Sequence, residues 1–120
     1  MLPAAHRIRC SADFDRVVRG GARIGRKNLV LHLRSEQHDG YSRVGFVVSK
    51  AVGPAVTRNL VKRRLRAIIA QELPLLPRGT DIVVRALPAA GRSDFAALKR
   101  DIQSGLAKYT AKMTVKESVI

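Results

Sequence analysis

Negative charge is missing from the middle of this chain. Between Gly40 and Gln71 there is no Asp or Glu, although nine acids occur elsewhere. Cysteine is nearly absent as well. A single Cys10 excludes an internal disulfide and any Cys-based zinc site. There is no Trp, and aromatics make up 4% of the 120 residues, so a core must be assembled from Val, Leu, Ile and Ala. No apolar run approaches the roughly 18 residues of a membrane span, and no signal-peptide hydrophobic segment follows Met1. A cytoplasmic protein is expected, with neither a membrane nor a small molecule as partner. Repeats and internal linkers are absent too, and the length suits one domain spanning 1–120.

Catalytic groups are the next shortage. A self-sufficient nuclease needs metal-binding carboxylates or a matched general acid and base. The acids here are scattered, and His6, His32 and His38 show no ligand spacing. No catalytic residue and no metal ligand is expected of the chain itself.

What is present is positive charge. The formal net charge is +14, and the isoelectric point of about 11.4 is that of a nucleic-acid binder. Half of that net charge falls in the acid-free window, as Arg43, Lys50, Arg58, Lys62, Arg63, Arg64 and Arg66. Such a cluster repels itself and weakens the fold, so it implies a polyanionic partner. At about 100° per residue, Arg58, Lys62, Arg66, Asn59 and Arg63 fall on one arc of about 140°. Val61, Leu65 and Ile68 lie opposite, with Ile69 at the border. The segment from about Ala55 to Gln71 therefore reads as an amphipathic helix with one apolar and one basic stripe.

The remaining elements follow from period and punctuation. Residues 1–10 read as a basic arm. Ser11 is a candidate N-cap for a short helix from Ala12 to Arg19, with Asp13 and Asp15 favoured in its first turn and Gly20-Gly21 stopping it. A strand is expected at Ala22–Ile24. From Lys27 to Arg34 the chain alternates, with Leu29, Leu31 and Leu33 on one face and Asn28, Val30, His32 and Arg34 on a polar, basic face. A hairpin loop from Ser35 to Tyr41 leads to a strand over Arg43–Ser49. After the basic helix, Pro74, Pro77 and Gly79 break the chain. Thr80–Ala86 is a continuous apolar strand of the kind found inside a sheet. Ser93 is a candidate cap for a last helix carrying Phe95, Leu98, Ile102 and Leu106, and the tail from Lys108 is expected to fray. The order is α-β-β-β-α-β-α, an α/β (α+β) two-layer sandwich.

Lys50 and the run Val56-Thr57-Arg58-Asn59-Leu60-Val61-Lys62-Arg63-Arg64-Leu65-Arg66 resemble the signature of the bacterial ribonuclease P protein component. The order of elements agrees over nearly the whole chain. One position departs: where the family has its second Arg, this chain has Leu60, near 200° on the wheel and off both stripes. The resemblance implies a ribosomal-protein-like fold whose βαβ crossover is left-handed, against the usual right-handed default. It implies two partners, ribonuclease P RNA and precursor tRNA. The basic helix with Lys50, Arg58, Asn59, Lys62, Arg63 and Arg66 would dock on the RNA. A cleft between the first helix and the sheet, with Phe14, Val18 and His32, would hold the single-stranded 5′ leader. Mg²⁺ bound mainly by the RNA would serve the hydrolysis.

The residues are consistent with that implication. Lys and Arg neutralise phosphates, Asn59 offers amide hydrogen bonds, and a phenyl ring at 14 is either a stacking platform or a core residue. Val18 cannot stack. His32 stands on the polar strand face, which favours the cleft. Arg9, Arg16, Arg19 and Arg34 are available to line the approach. Two rival readings remain open at this level: a structural or ribosomal-type RNA-binding protein without a role in cleavage, and a DNA binder. The latter lacks the second helix that a helix-turn-helix needs.

Overall fold

A strand that is apolar on both faces has to be covered on both faces, and Ile82-Val83-Val84 impose that condition. The computed structural model describes residues 7–8, 11–35, 42–77 and 79–118, with side chains as far as 111. Its order is α1 (Ser11–Gly20), β1 (Ala22–Gly25), β2 (Leu29–Ser35), β3 (Arg43–Val47), α2 (Ala55–Glu72), β4 (Thr80–Ala86) and α3 (Phe95–Ser118). The sheet order is β1-β2-β4-β3, so β4 lies inside. β3 and β4 are parallel, with α2 as the crossover between them; the other pairs are antiparallel.

Alternation then sorts the side chains. Leu29, Leu31, Leu33, Val44, Ile82 and Val84 join the main core with Val61, Leu65, Ile68 and Ile69 of α2 and Leu98 and Ile102 of α3. The opposite face carries a smaller cluster of Ile8, Val17 and Val83 with Phe14 packed on it. Helix α1 thus covers the sheet face that α2 and α3 do not. Arg7 bridges Val44 in parallel, and the Ile8 amide donates to the Val44 carbonyl at 3.0 Å, so these two residues lie along the free edge of β3.

Several local expectations shift. The last helix is capped by Asp94, whose Oδ1 accepts the Ala97 amide at 2.8 Å. Ser93 instead donates to Asn28 Oδ1 at 2.6 Å and to the Ala89 carbonyl at 3.0 Å. Asn28 accordingly precedes β2 rather than joining its basic face; its backbone and side-chain nitrogens both donate to Asp101 Oδ2 of α3 at 3.0 Å. Phe95 is 40% exposed, and Tyr109 takes a place in the core further along α3. Helix α3 runs from Phe95 to Ser118. The second face of β2 is not solvated: Val30 and His32 are both buried. Cys10, His6, His38, Arg9 and the hairpin acids Glu36 and Asp39 lie outside the described residues.

Candidate nucleic-acid interface

Helix α2 forms because its apolar positions recur at three and four residues, burying Val61, Leu65, Ile68 and Ile69 completely or nearly so. Ile69, at the border on the wheel, is fully buried, so the inward stripe extends toward Arg58 and Lys62. Those two are half-buried, whereas Asn59, Arg63 and Arg66 are exposed. Arg58 donates its Nε to the Gly53 carbonyl at 3.2 Å, which ties the start of the helix to the preceding turn. Lys50 is exposed on a 3-10 turn, Lys50–Val52. That turn sits against a second one, Pro88–Arg92, where a Cβ at Gly91 would collide with the Val52 carbonyl. Lys50 is thereby held at the entry to α2.

Besides Arg58, two of the seven cations in the acid-free window have partners inside the protein. Arg64 donates Nη1 to the Ser93 carbonyl at 2.8 Å. Arg43 grips Asp81 twice, at 3.1 and 2.7 Å, and reaches Asp13 of α1 at 3.4 Å. Its hydrogen bonds to Asp81 raise the Arg43 pKa further, against the effect of burial. Among the described residues, no carboxylate pairs with Lys50, Arg58, Lys62, Arg63 or Arg66. These five charges are all residues expected to contact RNA.

The expected leader residues separate. Phe14 packs its ring on Gly45 of β3, where a Cβ would overlap the phenyl carbons. There it lines a cleft of about 330 Å³ with Arg7, Ile8, Val44, Phe46, Lys62 and Arg66. The aromatic of α1 and two cations of α2 thus meet at the edge of β3. Val18 is 41% exposed on α1 and does not line this cleft. Nor does His32, which lies two strands from Gly45 along one cross-strand row, Gly45–Val83–His32–Arg23. His32 is 6% exposed, and its Nδ1 has no hydrogen-bond partner. Burial lowers its pKa below the usual 6.5, and the charges of Arg23 and Arg85 push the same way. Sequence reasoning missed Arg23 and Arg85 as neighbours of His32. The available signal was Arg85, the cation that follows the apolar Ile82-Val83-Val84 in β4. It also did not use Gly45, whose lack of a side chain makes the notch for Phe14.

An unneutralised helical face beside a cleft that joins aromatic and cationic side chains, on a small mixed sheet, defines an α/β RNA-binding protein. Comparison with known proteins narrows that class. The family described as Ribonuclease P matches residues 2–110. The ribonuclease P protein component of Kocuria rhizophila is 54% identical over 107 residues, covering 89% of this chain and 94% of that protein. That of Streptomyces bikiniensis is 51% identical over 114 residues, covering 88% and 93%. The solved structure of the Staphylococcus aureus RNase P protein superposes with a TM-score of 0.79 at 27% identity, covering 88% of this chain and 95% of that one. The chain belongs to the ribonuclease P protein family. Proteins of this family are subunits of an RNA-based endonuclease, so an RNA subunit is the partner that the excess of positive charge requires.

Proposed function

We propose that this chain docks α2 on ribonuclease P RNA and holds the 5′ leader of precursor tRNA in the cleft at the edge of β3, assisting removal of that leader. The observation that carries the reading is the meeting of Phe14 with Lys62 and Arg66 in one cleft. A ring face gives a base a stacking surface, and adjacent cations receive the phosphates on either side. A single strand offers splayed bases to such a cleft, whereas an A-form duplex keeps its bases out of reach of side chains.

The chemistry belongs to the RNA in this reading. Among the described residues no three His, Cys, Asp or Glu side chains come together. Mg²⁺ is assigned to the RNA, where it would supply an activated water. The chain screens phosphate repulsion, stacks and orients the leader, and so raises substrate affinity. A cytoplasmic setting is part of this proposal. No helix among the described residues is long and apolar enough to cross a membrane.

The test is processing of precursor tRNA by ribonuclease P RNA at low Mg²⁺, with and without the purified chain. Cleavage that improves when the chain is added supports the assignment. Cleavage no better than with RNA alone would leave only the role of a structural RNA-binding protein.

A further inference from the structure

Helix α2 does not present a uniformly charged surface. Val56 is 81% exposed and Leu60, one turn on, is 36% exposed. Ala67 is exposed as well. On the helix these three lie at about 160°, 200° and 180° from Arg58, a narrow apolar strip on the outward side of the helix, away from the buried stripe. The strip is bordered on one side by Arg63, Asn59 and Arg66, all exposed. On its other border stands Arg64, half-buried and engaged with the Ser93 carbonyl. No acid occurs in the helix before Glu72.

A β-branched residue at 81% exposure buries little surface within this fold. Its place matters because it continues the unneutralised basic face without a break. The surrounding charge repels a basic partner and attracts a polyanion. Nucleic acid is a polyanion that also displays apolar surface, in base faces and the sugar edges of unstacked nucleotides.

We propose that Val56 and Leu60 form an apolar contact with a nucleobase or ribose of ribonuclease P RNA, set within the phosphate contacts of Arg63 and Asn59. This inference rests on α2 being the docking face. The contact proposed at Leu60 is salt-independent. Burial of apolar surface releases no counterions, so it sets affinity without altering the slope of affinity against salt.

The experiment titrates ribonuclease P RNA with the full chain and with its Leu60→Ala, Leu60→Arg and Arg63→Ala variants over a salt series. All sites are exposed, and circular dichroism verifies the fold of each variant. Leu60→Ala is expected to bind about three- to tenfold more weakly by the same factor at every salt concentration. Leu60→Arg is expected to steepen the slope by about 0.7–0.9 log units, one phosphate contact. Binding by Leu60→Ala equal to the parent at all salts, with Arg63→Ala flattening the slope, would overturn the apolar contact and leave the docking face standing. An unchanged slope in Arg63→Ala as well would remove the docking face itself. Intact RNA affinity with altered self-association in Leu60→Ala would assign the strip to a protein contact and equally overturn the proposal.

Discussion

At the scale of the residue, identical side chains divide by what surrounds them. Arg43 and Arg66 are both arginines of the acid-free window. Arg43 is bound to Asp81, which is 1% exposed, and so serves the fold, whereas Arg66 is free to face a ligand. No sequence rule separates them, because the separation depends on β3 and β4 running parallel in a register that sets Arg43 opposite Asp81. His32 shows the same dependence. Its alternation was legible, but its burial comes from α1 lying over that face. The buried imidazole has a pKa below 6.5, while the unfolded chain titrates near 6.5. The unfolded state therefore takes up the proton first. Stability is full above about pH 6.5 and is lost as pH falls from there through the folded-state value. A thermal unfolding series from about pH 7 to about pH 5 should show the midpoint falling, and His32→Gln should reduce that fall. An equal acid-side loss in the variant would show that His32 is not its source.

At the scale of the element, the long segments were the legible ones. The 3.6-residue period of α2, the apolar run of β4 and the alternation of β2 each place their element within one or two residues of its observed bounds. Junctions were less legible. Ser93 and Asp94 are both competent caps, and what decides between them is that Asn28 and the Ala89 carbonyl engage the Ser93 hydroxyl. The cleft was half legible. Phe14 and the basic helix were each identified, but their meeting required α1 to cross the sheet to the edge of β3. Gly45 permits that crossing by leaving room for the ring. Gly45→Ala should displace the Phe14 ring and weaken binding of leader-bearing precursor by about tenfold, the order of one lost base stack. Affinity for the RNA subunit should be unchanged. Binding of precursors with and without a leader, compared between parent and variant, is the measurement; equal loss for both would place the leader elsewhere.

At the scale of the whole molecule, charge and apolar burial are allotted to different surfaces. The main core lies between the sheet and helices α2 and α3. Acids that pair with cations gather around α1 and β4, where Asp13 and Asp81 meet Arg16 and Arg43. That leaves the outer side of α2 unneutralised among the described residues. A fold that carries a net charge of +14 and leaves so much of it unpaired is stabilised by a polyanion more than by any rearrangement of its own charges. The family to which the chain belongs supplies that polyanion as its RNA subunit. The most direct measurement is the salt dependence of ribonuclease P RNA binding by the parent chain and by a variant with Arg58, Lys62 and Arg66 all replaced by Ala. The account predicts a slope shallower by up to about 0.7–0.9 log units for each lost contact. A slope equal to that of the parent chain would contradict it.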